Sequence, residues 1–127
     1  MTPNISGADA VVAWFGEWPT FHDAEVLTVH IDRELKRSFV RVRAFTRSNR
    51  TDAHGHFLRE RDALVVFEFT GIRLVDLHGE DADVQNVIGG LRIDEIDNGY
   101  RIQLSPCYGL AGEIIVTALN VRIESTF

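Results

Sequence analysis

The sequence predicts a mainly β fold (α+β): an antiparallel curved sheet or sandwich of about seven strands, with one short N-terminal helix. Apolar and polar residues alternate over most of the chain after residue 24, which is the period of a strand. Helical spacing of apolar residues appears only before Gly16. The Asn98-Gly99 pair between two alternating segments is the strongest hairpin signal in the chain.

Length and composition indicate one globular domain spanning residues 1–127. The chain has 127 residues, of which 45% are hydrophobic and 25% charged, as is ordinary for a globular domain. Cys107 is the only cysteine, which excludes an intramolecular disulfide and fits a reducing compartment. The start of the chain lacks the pattern of a signal peptide, and no stretch approaches the ~20 apolar residues of a membrane span. We expect a cytoplasmic protein without membrane association.

The helix is predicted over residues 7–15. Ser6 is a candidate N-cap, and Asp9 places a carboxylate in the first turn, where it is favourable. Gly16 offers a left-handed C-cap, and Pro19 prevents the helix from resuming. The apolar face consists of Ala8, Val11, Val12 and Phe15.

Two strands, over residues 24–33 and 38–46, are predicted to form an antiparallel hairpin around a polar turn. Residues 48–60 contain few apolar side chains, so we expect an exposed, mobile loop there. The apolar faces of the two strands are Leu27, Val29 and Ile31 in the first and Val40, Val42 and Ala44 in the second.

The segment over residues 63–70 is apolar on both faces and should be the most central strand. Gly71 marks a bulge or bend rather than an end, because residues 72–78 continue as a strand. An acidic turn over residues 80–83 follows. A short helical turn is then expected over residues 84–90, broken by two consecutive glycines.

The last third of the chain is predicted to begin with a hairpin of two strands, over residues 91–96 and 100–105. Its Asn98-Gly99 pair favours the positive backbone angles of a type I′ turn. A loop over residues 106–112 precedes the final strand, residues 113–124. One face of that strand carries Ile115, Thr117, Leu119, Val121 and Ile123.

Charge is unevenly distributed along the chain, whose net charge of −6 argues against general nucleic-acid binding. Such a dipolar chain could steer a charged partner. The simpler interpretation, which we favour, is that adjacent strands of opposite charge neutralise each other across the sheet. The basic block holds Arg33, Lys36, Arg37, Arg41, Arg43, Arg47, Arg50, Arg59 and Arg61, and the acidic block holds Glu68, Asp76, Glu80, Asp81, Asp83, Asp94, Glu95 and Asp97.

The junction between helix and first strand carries the most unusual local pattern: Trp18, Phe21, His22, Asp23 and Glu25 lie within eight residues. A histidine beside carboxylates could form a metal site or an acid–base pair. Adjacent residues of an extended chain point in opposite directions, which argues against a shared ligand. We therefore favour a structural role, in which the two aromatic side chains anchor the junction and the polar ones bond to its backbone.

Other candidate chemistry is weak. His54 and His56 share a face of an extended chain but supply only two ligands, and His30 and His78 lie on separate predicted strands. Cys107 has no local motif, and the sequence contains neither a serine-nucleophile motif nor a phosphate-binding glycine loop. We expect no catalytic residue, no metal and no cofactor.

Three segments resemble the immunity protein 50 family of bacterial polymorphic toxin systems. The first is Trp14-Phe15-Gly16-Glu17-Trp18-Pro19-Thr20-Phe21-His22-Asp23-Ala24-Glu25-Val26, the second is Gln85-Asn86-Val87-Ile88, and the third is Tyr108-Gly109-Leu110 followed by Gly112 and a final strand. Their order and spacing extend the resemblance over residues 11–123. The acidic turn before Gln85 departs from the more aromatic, asparagine-rich turn of the family.

The resemblance implies a small, non-enzymatic cytoplasmic protein that binds and neutralises a cognate protein toxin. In such a complex acidic side chains complement a basic nuclease groove and aromatic side chains anchor the contact. The candidate contact residues are Asp76, Asp94, Glu95, Asp97 and Tyr108.

Two alternatives remain open at this point. One is a small metal-dependent hydrolase using His22, Asp23, Glu25 and a second histidine. The other is a structural or oligomerisation domain without a ligand. An exposed edge on the final strand would also allow the chain to form a homodimer.

Overall fold

The computed structural model describes residues 2–34, 37–79 and 85–127, apart from the side chains of residues 47–49 and 57–60. The predicted acidic turn over residues 80–83 lies outside this part of the chain. The described elements are α1 (Ala8–Phe15), β1 (Glu25–His30), β2 (Ser38–Thr51), β3 (Phe57–His78), β4 (Val87–Ile96), β5 (Gly99–Tyr108) and β6 (Ala111–Thr126).

The strands form one antiparallel sheet that closes into a barrel in the order β1-β2-β3-β6-β5-β4. The prediction of a mainly antiparallel β fold with one short helix is confirmed. The described residues form six strands rather than seven, because the segments predicted over residues 63–70 and 72–78 are a single strand, β3. The final strand pairs with β3 along most of its length but with β5 only over residues 112–116, so in the described part of the chain the expected edge at the end of β6 has β3 as its only strand neighbour.

The barrel interior is filled by apolar side chains from every strand and from the helix. As predicted, Val40, Val42 and Ala44 of β2 point inward and are buried. The central part of β3 contributes Val65, Phe67 and Phe69 to the same core. The helix packs against β3 and β6, and it buries Ala8, Val11 and Phe15 there.

The helix ends as predicted but begins differently. The N–H of Gly16, in the left-handed conformation, donates to the carbonyl of Val12 over 2.8 Å, so the C-cap is confirmed. The expected N-cap, Ser6, is wrong. The N-cap is Gly7 (φ 91°), while Ser6 forms a bridge to Asn120 and its carbonyl accepts a hydrogen bond from Val121. Attachment of this residue to β6 delays the start of the helix by one position.

The predicted apolar face of the first strand is wrong at Leu27. A β-bulge lies between Val26 and Thr28, and it shifts the alternation by one residue. Val26 is therefore buried, whereas the Leu27 side chain is 47% exposed. Val29 and Ile31 pack against the core as expected.

The predicted face of the final strand is also wrong over its first half. Ile114 and Val116 are buried, then Thr117 and Ala118 are both exposed, and burial resumes at Leu119. The interruption lies opposite Gly71, where β3 bends with φ 69°, as expected for a bulge or bend. A sequence pattern with an unbroken period of two cannot locate such a shift.

Two predicted loops and a helical turn are largely strand. The strand β2 extends to Thr51 and β3 begins at Phe57, so the connection between them is short. Within it, both His54 and His56 donate backbone N–H groups to the Asp52 carboxylate. Similarly, β5 reaches Tyr108 and β6 begins three residues later, which leaves a short turn in place of the loop over residues 106–112. In the segment predicted as a helical turn, residues 87–90 belong to β4.

The Asn98-Gly99 hairpin is present, with a different turn from the one expected. Ile96 and Gly99 are paired, so the turn residues are Asp97 and Asn98. Only Asn98 has a positive φ, 59°, whereas a type I′ turn requires it at both turn residues. Glycine is required at position 99 for a steric reason, because a Cβ there would overlap the carbonyl oxygen of Val116.

The start of the helix provides a test of close packing between Gly7 and β6. Gly7 and Gly16 have nearly the same φ, 91° and 89°, but a Cβ at Gly7 would overlap the carbonyl oxygen of Val121, whereas nothing lies within 4 Å of one at Gly16. We expect Gly7→Ala to lower the free energy of unfolding by about 3 kcal/mol or more. Gly16→Ala should cost about 1 kcal/mol, from backbone strain alone. Equal losses in urea denaturation would contradict this packing.

Candidate partner-binding site

The barrel is closed by a short seam, formed by residues 20–26 against residues 86–91. The regular ladder between β1 and β4 contains only the pair Glu25–Val87. Four further backbone hydrogen bonds complete the seam: Val26 N–H to the Asn86 carbonyl (2.8 Å), Asp23 N–H to Ile88 (3.0 Å), Ile88 N–H to Ala24 (2.9 Å) and Leu91 N–H to Thr20 (3.2 Å). The first two segments of the family resemblance are therefore the two sides of this seam.

Aromatic packing fixes one side of the seam to the core. Phe21 is 2% exposed, and its ring meets Phe67 edge-on at 5.5 Å. Trp18 packs edge-on against both rings, at 5.7 and 6.4 Å. Phe21 adopts a left-handed backbone conformation (φ 60°), which costs free energy for a bulky residue and persists because its ring is buried.

His22 and Asp23 approach each other more closely than an extended chain would allow. Asp23 is also left-handed (φ 62°), and the resulting turn places His22 Nε2 3.6 Å from Asp23 Oδ2. His22 Nδ1 lies 3.0 Å from the carbonyl oxygen of Gly89, across the seam. The expectation that the two side chains point apart is wrong, and the ring of His22 bridges the two sides of the seam.

The third segment of the resemblance also reaches the seam, through Asn86. The Asn86 Oδ1 accepts a hydrogen bond from the Leu110 N–H at 3.3 Å. Gly109 lies against the same side-chain oxygen, where a Cβ would be too close. Tyr108 pairs with Val87. Segments far apart in sequence therefore meet at Asn86.

The acidic candidates follow the hairpin of β4 and β5. Asp94 is on the outer face of β4 and pairs with Arg92 at 2.9 Å. Glu95 is exposed and points to the opposite face, because side chains alternate along a strand. Asp97 is exposed in the turn. Within the described part of the chain, the carboxylates of Glu95 and Asp97 form no ion pair.

Tyr108 and Asp76 do not belong to the same surface as the hairpin carboxylates. Tyr108 is 64% exposed but lies seven residues along β5 from Arg101, the partner of Asp94, or roughly 23 Å at the strand rise. Asp76 is exposed on β3, opposite Glu113 of β6. The five predicted contact residues therefore divide into a hairpin group and two separate positions.

Three arginines of the basic block, Arg37, Arg41 and Arg43, pair with carboxylates across the sheet, and one of those carboxylates, Glu68, belongs to the acidic block. On the outer face, Arg41 pairs with Glu124 at 3.0 Å and Arg43 with Asp62 at 2.9 Å. Arg37 and Arg122 both bind Glu68, at 3.0 and 2.6 Å. These hydrogen bonds, that of Arg122 first, hold the pKa of Glu68 below its ordinary value. The arginines also flank the outward face of β3, where Val66 is buried.

The predicted histidine and carboxylate candidates do not assemble into a ligand cluster. Within residues 2–34, 37–79 and 85–127, no three His, Cys, Asp or Glu side chains are placed to hold a metal ion. The rings of His54 and His56 are 6.5 Å apart, and His30 stacks on Phe39 at 5.0 Å. His78 lies opposite Ala111 on β6.

Comparison with known proteins identifies no relative of this chain. No family model matches the chain, and no curated protein or solved structure is significantly similar to it. No helix in the described part of the chain is long and apolar enough to cross a membrane.

The role of Asn86 at the seam can be tested by removing its side-chain acceptor. Asn86→Ala leaves the half-buried Leu110 N–H without its partner, so we expect the free energy of unfolding to fall by about 1–3 kcal/mol. Asn86→Asp keeps an oxygen at this position and should cost less. Equal losses in chemical denaturation would show that this hydrogen bond does not hold the segments together.

The pH dependence of stability tests the Glu68 network. Because the folded state lowers the pKa of Glu68, its charge stabilises the fold above the ordinary value of 4.5, and this contribution is lost as the pH falls through the lowered value. Glu68→Gln should therefore destabilise the protein at pH 7 and lose this effect in strong acid. Denaturation at pH 7 and pH 2.5 measures it. Glu34→Gln, an exposed control, should show no such difference.

Proposed function

We propose that this chain is a non-enzymatic, cytoplasmic immunity protein that binds and neutralises a cognate bacterial protein toxin. The observation that carries the proposal is the pair of exposed carboxylates at the β4–β5 hairpin. Arg41 and Arg43 of β2 pair with carboxylates within the sheet, whereas the carboxylates of Glu95 and Asp97 at the hairpin form no ion pair in the described part of the chain. Exposed carboxylates without intramolecular partners suit a basic partner surface.

The charge around the hairpin favours the same kind of partner. Glu113 and the three hairpin carboxylates lie near Arg73, Arg92 and Arg101, which leaves an excess of one acidic group around the hairpin. Acidic surfaces of this kind accelerate association with basic proteins at low salt. The toxin is therefore expected to present a basic surface, such as a nuclease groove.

The function is tested by co-expression with the C-terminal domain encoded by the neighbouring gene. Cells that express this domain alone should stop growing, and cells that also express the chain should grow. The two purified proteins should form a stoichiometric complex in size-exclusion chromatography. A toxic domain against which the chain neither protects nor forms a complex would overturn the assignment for that pair. Catalytic turnover of the toxin by the chain would overturn its non-enzymatic nature.

The contribution of the hairpin is tested by reversing one charge. Glu95→Lys should slow association with the toxin by about tenfold at low salt, and less as salt is raised. Glu34→Lys makes the same change in net charge in the loop that follows β1. Because β1 and β4 are antiparallel, that loop and Glu95 lie in opposite directions from the Glu25–Val87 pair. Stopped-flow association rates that are equal for the two variants would exclude the hairpin.

A further inference from the structure

Beyond the seam, no strand in the described part of the chain pairs with the far end of β4 on the side away from β5. Ile96 and Gly99 form a hydrogen-bonded pair at the hairpin turn, so Asp94–Arg101 and Arg92–Gln103 are also hydrogen-bonded pairs. The backbone groups of Ile93 and Glu95 must then point away from β5. They point towards the chain before β1, on the same side of β4 as the seam. The last hydrogen bond of the seam along β4 is that from Leu91 to Thr20.

This free edge opens into a groove of about 480 Å³. Its residues come from β4 and its neighbour β5 on one side and from the chain before β1 on the other. The lining includes Trp18, Pro19, Leu91, Ile93 and Asp94. Within the described part of the chain, no group hydrogen-bonds to the N–H or C=O of Ile93 or Glu95. An unpaired strand edge beside a groove can accept an additional strand.

We propose that an extended, basic segment of the protein partner adds to the free edge of β4, as a strand alongside residues 91–95. Its backbone pairs with Ile93 and Glu95, an apolar side chain lies against Ile93 and Trp18, and basic side chains on the other face of the added strand lie beside Asp94. The identity of the partner rests on the proposed function, whereas the edge itself does not.

The charge of the edge favours this occupant over a second copy of the chain. Two copies of β4 paired edge to edge would bring Asp94 and Glu95 close to the same carboxylates of the other copy. Like charges on facing strands are destabilising. Arg92 does not relieve this repulsion, because it is already paired with Asp94 of its own chain. Lysine or arginine in an added strand of the partner would instead be attracted to these carboxylates.

The edge is tested with an eight-residue peptide of alternating lysine and valine whose termini are blocked. Its binding is monitored by NMR of the labelled protein. Saturable shifts of the Ile93 and Glu95 amides, together with slower hydrogen exchange of both, are the expected result. The same peptide N-methylated at alternate residues on one edge keeps its charge but cannot pair through that edge, and it should bind roughly tenfold more weakly. Equal binding of the two peptides, or shifts centred elsewhere, would overturn strand addition.

Two variants separate backbone pairing from charge. Glu95→Pro removes the outward N–H without touching the ladder to β5, and Glu95→Gln removes only the charge. Proline should weaken peptide binding by roughly tenfold and glutamine by less. If Glu95→Pro fails to fold, the N-methylated peptide still decides the question, because it leaves the protein unchanged.

The toxin experiments distinguish failure of this inference from failure of the function. A complex that protects cells and is equally tight with Glu95→Pro and wild type would exclude the β4 edge while the immunity function stands. Peptide binding at Ile93 and Glu95 without any protection would support the edge and count against the function.

Discussion

Closure of the barrel depends on the seam, where a short segment of irregular backbone joins β1 to β4. Among the described residues one regular ladder pair forms there, and three of the four remaining hydrogen bonds involve Thr20, Asp23 and Ala24, before the strand begins. A barrel with an incomplete seam would expose two strand edges and open its core to water. The residues that make the seam are therefore fixed by the requirement to close the sheet.

The seam persists because aromatic burial offsets its backbone strain. Phe21 and Asp23 both adopt left-handed conformations, each costing of order 1–3 kcal/mol. Burial of the Phe21 ring against Phe67, with Trp18 across both, stabilises the fold by a comparable amount. This balance explains why Trp18 and Phe21 occur in a pattern that first suggests catalysis.

The same seam determines which surface remains open. It pairs β4 only as far as Leu91, so the edge of the hairpin beyond it has no strand partner among the described residues, and the hairpin carries the exposed carboxylates of Glu95 and Asp97. On the opposite side of the barrel, long arginine side chains are tied to Glu68, Asp62 and Glu124 across neighbouring strands. Carboxylates on that side are thus paired with arginines, whereas those of Glu95 and Asp97 at the hairpin form no ion pair among the described residues.

The sequence alone determined the features that depend on neighbouring residues: the mainly β class, the inward face of β2, the C-cap at Gly16 and the hairpin at residues 96–99. It located the bend at Gly71, but it could not place the bulge at Leu27 or the shift in β6 opposite Gly71, because such a shift changes the alternation without changing composition. Nor could it show that Thr20 meets Leu91 and Asn86 meets Leu110, or that β4 beyond Leu91 has an unpaired edge in the described part of the chain. Those facts follow from closure of the sheet, which joins residues distant in sequence, and only the tertiary structure decided them.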